Sequence, residues 1–210
     1  MATTYHTTAG DGPDHSRARD SFHRLMVGVY LEALATGRIT GLLVPDHEVP
    51  GLVGADDFVG VHYYSTFVVD FTEPTATSAT TGVDVAISPL PGERESQLGW
   101  FWHPEGLGFV LDEAAAAGLP IYVTENGLPS DDDAERIEFI RLHLGEIHDA
   151  IGRGLDIRGY FYWSIIDCYE WNRGFEPKFG LAAVDRTTME RIPKPSLAWY
   201  GELARANRLE

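Results

Sequence analysis

Apolar side chains recur every three or four residues in three segments of the chain, the spacing that one face of an α-helix requires. The pattern predicts helices over residues 21–36, 106–118 and 131–153. Gly37 follows the first segment and acts as a helix stop. The third segment begins with three consecutive aspartates, whose charges suit the positive end of a helix dipole.

Three short apolar runs lack that spacing and are rich in β-branched and aromatic residues instead. They predict buried strands over residues 57–64, 121–124 and 157–166. Helices that alternate with such strands imply a parallel sheet with right-handed crossovers. Three strands are too few to close a parallel barrel, and an open α/β sheet satisfies this pattern.

The remaining segments predict irregular structure. Residues 1–16 are polar and are typical of a flexible N-terminal arm, which leaves residues 17–210 as the folded part. A loop is expected over residues 45–55. Residues 70–97 are rich in Thr, Pro and Gly and carry only weak strand signals. A loop of that length in a compact domain is usually functional or mobile.

Composition narrows the classes of partner. Hydrophobic residues make up 44% of the 210 residues, enough to bury a core. Acidic residues outnumber basic ones 32 to 16, and the net charge of −16 argues against nucleic acids and anionic membranes as partners. Cys168 is the only cysteine, so no internal disulfide can form. No signal-peptide or membrane-spanning pattern is present, and we expect a cytoplasmic location.

Polar or aromatic side chains lie at the carboxyl end of each predicted strand: Tyr64 ends the first, Glu125 follows the second, and Trp163 is near the end of the third. The carboxyl ends of parallel strands meet at one edge of a sheet, so these groups are expected to share a site. A carboxylate there is where a barrel enzyme keeps a nucleophile or a base. The alternative is an exposed Glu at a turn, or one near a helix start that the dipole stabilises.

Aromatic residues and a carboxylate are interleaved in the segment that follows. Sugars present apolar C–H faces and many hydroxyls, so a sugar pocket combines flat aromatic rings with bidentate carboxylates. Trp163, Trp171 and Phe179 can supply the rings, and Glu170 can accept hydrogen bonds from two hydroxyls. The alternative is that these aromatics belong to an ordinary core. The histidines are scattered without ligand spacing, so no metal site is predicted.

Several segments resemble, in the correct order, the motifs of glycoside hydrolase family one, the β-glucosidase and β-glycosidase family. They are DFVGVHYY at 57–64, WHPEGL at 102–107, VTENG at 123–127, GYFYWSIIDCYEW at 159–171, KFGL at 178–181 and PKPS at 193–196. The resemblance implies that residues 17–210 are the C-terminal part of a (β/α)8 TIM barrel. This part covers about strands six to eight and is incomplete as a closed barrel.

The resemblance implies a retaining β-glucosidase mechanism without a cofactor. Glu125 would be the nucleophile, and Tyr64 would donate the hydrogen bond that orients it. Retaining hydrolysis needs a second carboxylate, the acid/base, about 5–5.5 Å from the first. The family carries it in a Thr-x-Asn-Glu-Pro motif that this sequence lacks. The nearest segment, Thr72-Glu73-Pro74, has no Asn and follows the Tyr-Tyr strand instead of preceding it.

The resemblance also implies how the sugar is held. Trp163 would form the floor of the pocket, Glu170 and Trp171 would recognise hydroxyls, and Phe179 would close one wall. Relatives that cleave 6-phosphoglycosides carry a Ser where this chain has Glu170, so an unphosphorylated β-glucoside is the expected substrate.

Two positions depart from the family pattern, since His62 and Cys168 each replace a usual Asn. His62 can titrate near neutrality and alter the field at Glu125. Cys168 is expected to be a small buried residue and not a catalytic thiol.

Three readings of function follow. The chain is a β-glucosidase fragment with little activity by itself because it lacks the acid/base. Alternatively, it is a sugar-binding remnant without catalysis. As a third reading, it is a half-barrel that needs an N-terminal partner chain or self-associates through exposed strand edges.

Overall fold

The structure, a computed structural model, describes residues 5–8, 13–40, 45–70, 86–88 and 94–209. The Thr72-Glu73-Pro74 segment lies outside the described residues. The elements along the described chain are β1 (Tyr5–Thr8), α1 (Pro13–His23), a π-helical turn (Arg24–Gly28), α2 (Val29–Thr36), β2 (Arg38–Ile39), β3 (His47–Glu48), β4 (Val59–His62), β5 (Thr66–Asp70), β6 (Ala86–Ser88), α3 (Pro104–Ala115), β7 (Ile121–Asn126), α4 (Asp133–Gly152), β8 (Ile157–Tyr162), a 3-10 turn (Trp171–Arg173), β9 (Ala182–Val184), β10 (Arg191–Pro193) and α5 (Pro195–Ala206).

The central sheet consists of three parallel strands in the order β4-β7-β8, which confirms the parallel arrangement predicted from the sequence. Ile121 of β7 pairs with Val59 on one side and Ile157 on the other. The side chains of Val61 and Val123 are fully buried, as expected for β-branched residues in a covered sheet. The sheet is not closed, so this part of the chain forms an incomplete barrel with β4 and β8 at its edges.

Two helices cover one face of this sheet. α3 and α4 correspond to the predicted helices at 106–118 and 131–153, with ends that differ by at most three residues. Leu107 and Leu111 of α3 and Ile147 of α4 pack with the strand valines in a single core cluster. Full burial of one such side chain contributes about 1.5–3 kcal/mol, so these contacts are a major source of the stability of the sheet.

The acidic start of α4 is both a helix cap and an anchor. The side chain of Asp132, at the N-cap, accepts a hydrogen bond from the backbone N–H of Ala134 at 2.9 Å. Asp133 forms an ion pair with Arg136 and accepts a hydrogen bond from the backbone N–H of Ser196 at 2.6 Å. The predicted favourable dipole interaction is therefore supplemented by a contact that holds α5 against α4.

Within the predicted flexible arm of residues 1–16, the parts that the structure describes form regular elements. Residues 5–8 form β1, which pairs in parallel with β5, and α1 begins at Pro13, eight residues before the predicted helix. A β-strand at the terminus is stabilised by its neighbour, a contact that local polarity does not reveal. Proline suits the first position of a helix because its φ angle is preset. Its missing N–H removes no intrahelical hydrogen bond, since an N–H at this position has no acceptor within the helix.

A second sheet in the order β1-β5-β6 was not predicted. β6 lies within the segment 70–97 that was expected to be a loop, and it pairs antiparallel with β5. Val68 and Val69 of β5 are buried. Among the described residues, none of the helices combines the length and apolar character that crossing a membrane requires.

Candidate active site

A cavity of about 720 Å³ opens at the carboxyl ends of the central strands. The structure brings all six residues that the sequence singles out to its lining: Tyr64, Glu125, Trp163, Glu170, Trp171 and Phe179. The roles assigned to them stay predictions, but their convergence on one cavity is the arrangement that such roles require. The cavity is large enough for a small ligand.

Glu125 lies near the end of β7, which runs two residues further than the predicted strand. The Tyr64 hydroxyl donates a hydrogen bond to Glu125 Oε2 at 2.8 Å. The neighbouring Asn126 is fully buried, donates to the carbonyl of Tyr63 at 2.7 Å and accepts from the Tyr160 hydroxyl at 2.8 Å. These bonds to both adjacent strands fix the backbone beside Glu125, which limits the positions that its carboxylate can take.

Tyr64 is suited to be a permanent hydrogen-bond donor. Burial raises the pKa of Tyr64 well above its usual value, and the hydrogen bond and negative charge of Glu125 raise it further. The phenol is therefore protonated at all physiological pH values and can stabilise the carboxylate form of Glu125.

Gly127 is required by a close approach between two segments of the site. A Cβ atom at this position would lie 1.8 Å from the carbonyl oxygen of Trp163, which no side chain can tolerate. The same contact is secured by the backbone, since Trp163 N–H donates to the Asn126 carbonyl at 2.9 Å. The peptide bond between Trp163 and Ser164 is cis. The glycine of the VTENG motif thus places Trp163 beside the strand that carries Glu125.

Asp167 anchors the segment that carries Trp163, Glu170 and Trp171. It is almost fully buried and accepts hydrogen bonds from Gly180 N–H at 2.8 Å and Lys194 Nζ at 3.1 Å. Burial lowers the pKa of Lys194, while the neighbouring carboxylate opposes that effect. Removing one partner of such a pair leaves the other charge buried without its counter-charge. The ion pair therefore constrains both ends of the segment between Asp167 and Lys194.

Glu170 contacts the thiol of Cys168, which donates to Oε1 at 3.2 Å. Burial raises the pKa of Cys168, so the group remains a thiol that can donate this hydrogen bond. Cys168 is only partly buried and lines the cavity, which differs from the expectation of a fully buried small residue. Sequence reasoning missed this because the loop, not a regular element, sets its orientation.

The aromatic lining includes a residue that the sequence analysis did not select. Trp100 lies with its ring centroid 5.6 Å from Tyr64 and 6.4 Å from Phe179. Phe179 is almost fully buried in this cluster, whereas Trp171 is 82% exposed. The sequence signal that could have identified Trp100 is its position just before the WHPEGL segment. The sequence that precedes Trp100 has no helix or strand periodicity from which its orientation could be predicted.

His62 faces the site, which its sequence position left undecided. Its Nδ1 atom lies 3.4 Å from Glu125 Oε2. Burial lowers the pKa of His62, and the charge of Glu125 acts in the opposite direction. In the described part of the chain, no group of three His, Cys, Asp or Glu side chains is placed to hold a metal ion.

Comparison with known proteins identifies the class to which this site belongs. The model of glycosyl hydrolase family 1 matches residues 15–209, so the chain belongs to this family. β-Glucosidase A of Thermotoga maritima is 36% identical over 165 residues, an alignment that covers 73% of this chain and 35% of that protein. A β-galactosidase of Pyrococcus woesei is 32% identical over 225 residues, covering 99% of this chain and 43% of that protein.

A solved structure supports the same assignment. The β-glycosidase from Pyrococcus horikoshii superposes with a TM-score of 0.91 at 36% sequence identity, covering all of this chain and 48% of that one. The chain therefore spans about half the length, or less, of the relatives it matches. Its fold is confirmed as part of a family 1 barrel.

Proposed function

We propose that this chain carries the nucleophile side of a retaining β-glucosidase site for unphosphorylated β-glucosides. The observation that supports this most directly is the Glu125 carboxylate, which accepts a hydrogen bond from Tyr64 within a cavity that also contains Glu170 and Trp163. A hydrogen-bonded carboxylate at the end of a parallel strand is the arrangement that covalent glycosidic catalysis uses.

In the proposed reaction, an oxygen of Glu125 attacks the anomeric carbon of the sugar. The new C–O ester bond forms as the bond to the leaving group breaks, and the leaving group departs with the bonding electron pair. Water then cleaves the glycosyl ester. Proton donation to an unactivated leaving group by a second carboxylate contributes about 10²–10⁴-fold. Of the described residues that line the cavity, Glu125 and Glu170 are the carboxylates.

Glu170 is better suited to sugar recognition than to proton transfer. Its Oε1 accepts from Cys168, and the carboxylate can still accept hydrogen bonds from sugar hydroxyls. A phosphate group would be repelled by two carboxylates in one cavity, which supports an unphosphorylated sugar. We therefore expect the chain by itself to cleave only glycosides whose leaving groups need no proton.

The test is covalent labelling with 2-deoxy-2-fluoro-β-glucosyl fluoride, whose fluoride leaves without protonation and whose glycosyl ester hydrolyses slowly. Mass spectrometry of the intact chain and its peptides should show one added glycosyl group, located on Glu125. Glu125→Gln should abolish labelling. The matched variant Glu170→Gln should still be labelled on Glu125, but only at a higher concentration of the reagent. Labelling elsewhere, or none in the unmodified chain, would contradict the proposal.

A half-barrel that needs a partner is the second candidate, and the open edges of the sheet favour it. β4 and β8 each lack a second neighbouring strand among the described residues. Phe58 and Phe161, beside or within those strands, are 51% and 56% exposed. Addition of a chain with the first five barrel strands of a relative should raise turnover of a nitrophenyl glucoside. Sugar binding without labelling in either condition would support the sugar-binding remnant instead.

A further inference from the structure

The contact between His62 and Glu125 depends on an irregularity in the sheet. In the β4–β7 ladder Val61 pairs with Val123, and the next pair is His62 with Glu125, so Thr124 is skipped. Side chains of paired residues in a parallel ladder point to the same face, and a bulge re-aims the residues after it. Without this shift, Glu125 would alternate to the face that Val123 shares with the helices. The shift instead places the carboxylate and the imidazole side by side.

Tyr64 and His62 both approach the same carboxylate oxygen of Glu125. Tyr64 donates to Oε2 at 2.8 Å, and His62 Nδ1 lies 3.4 Å from the same atom. Within the described residues, Oε1 of Glu125 makes no such contact. The side chains of His62 and Glu125 are 29% and 30% exposed, so the pair is partly shielded from water.

We propose that His62 is a positioning residue for Glu125: with Tyr64 it holds Oε2, so that Oε1 is the oxygen that attacks the anomeric carbon. This inference rests on the proposed function for its catalytic part. An imidazole at this point can present Nδ1–H as a neutral donor, so that it supports the carboxylate in the way that the amide of an asparagine would. His62 acts through Glu125 and is not itself a catalytic group.

The ionisable groups that line this part of the cavity are few. Besides Glu125 and Tyr64, the described lining contains Cys168, Tyr169, Glu170 and Arg173. Glu125 is the one of these whose charge acts on His62. Burial lowers the pKa of His62 and the charge of Glu125 raises it, so the protonation of His62 responds to the Glu125 carboxylate.

The first experiment tests the contact without requiring activity. The imidazole of His62, assigned with His62→Asn, is titrated by NMR in the unmodified chain and in Glu125→Gln. Since the charge of Glu125 raises the pKa of His62, its removal should lower that pKa. Glu170→Gln is the matched control and should change it less. Equal pKa values in the unmodified chain and Glu125→Gln would overturn the inference.

The second experiment tests positioning. The rate of labelling by 2-deoxy-2-fluoro-β-glucosyl fluoride is compared in the unmodified chain, His62→Ala and His62→Asn. If the proposed donation from His62 supports the carboxylate, its loss should slow labelling of His62→Ala about tenfold, and His62→Asn should recover most of the rate because it restores a donor. An unchanged rate in His62→Ala would overturn the positioning role. If no chain is labelled, the proposed function fails, and the NMR titration still decides whether the contact exists.

Discussion

His143 is expected to make the protein sensitive to acid, because it is buried in a form that cannot accept a proton easily. Its side chain is fully buried on the inner face of α4, 3.9 Å from the Phe139 ring between centroids. Nδ1 lies 2.8 Å from the Phe139 carbonyl, which fits the tautomer with the proton on Nδ1. Among the described residues, Nε2 has no hydrogen-bond partner. A proton there would be a buried charge without a counter-charge.

The size and sign of the effect follow from the pKa. Burial lowers the pKa of His143 from 6.5 to about 4, an effect that the hydrogen bond with the Phe139 carbonyl opposes and the charge of His103 reinforces. The folded state therefore binds this proton less readily than the unfolded state, so stability is full above pH 6.5 and is lost as the pH falls from 6.5 towards 4. One pKa unit corresponds to about 1.36 kcal/mol, so the total loss is about 3 kcal/mol, of which about 1 kcal/mol falls between pH 6 and pH 5.

Urea unfolding followed by tryptophan fluorescence at pH 7.5, 6 and 5 measures this effect. His143→Leu keeps a similar volume and removes the titrating group, so it should lose about 1 kcal/mol less than the unmodified chain between pH 6 and pH 5. Other titrating groups are present in both proteins and cancel in the difference. The control is His148 on the same helix, whose side chain is 77% exposed, replaced by Leu. Equal losses in the unmodified chain and His143→Leu would refute the reasoning.

Three further predictions concern stability and binding. Asp132→Ala removes the cap of α4 and should lower the free energy of unfolding in urea by about 1 kcal/mol, and an unchanged midpoint would contradict the capping role. Gly127→Ala forces a Cβ against the Trp163 carbonyl and should cost about 1–3 kcal/mol or prevent folding, whereas Gly145→Ala, with open space around its Cβ in α4, should be neutral or stabilising. Trp171→Ala should leave the melting temperature unchanged because the side chain is 82% exposed, yet weaken calorimetric binding of a glucoside, and equal affinity would exclude Trp171 from the sugar site.

The elements that could be predicted from the sequence are those whose pattern is local. β7 and α4 have clear signals, since a β-branched run ends at an Asn-Gly turn and an acidic cap precedes a helical stripe. The position of Glu125 at a strand end followed directly from this. The order of motifs further identified the family, because their spacing reflects the length of each strand, helix and loop.

Other features depend on partners that are distant in the chain. β1 is a strand because β5, about sixty residues later, lies beside it, and its own sequence is polar. The orientation of His62 depends on the skipped residue in the β4–β7 register, which no periodicity reveals. Trp100 joins the site through contacts with Tyr64 and Phe179, whose sequence separations are large.

The sequence by itself determined the family, the three parallel strands and the set of side chains available for sugar chemistry. This was possible because apolar periodicity and turn residues specify secondary structure over a few neighbouring positions. The motifs also occur along the chain in the order that the family has. Only the tertiary structure decided which atoms meet: that Tyr64 donates to Oε2 of Glu125 while His62 Nδ1 lies 3.4 Å from the same atom, that Cys168 contacts Glu170, and that His143 is buried in the core. Those contacts depend on strand register and packing between distant segments, where a shift of one residue turns a side chain to the opposite face.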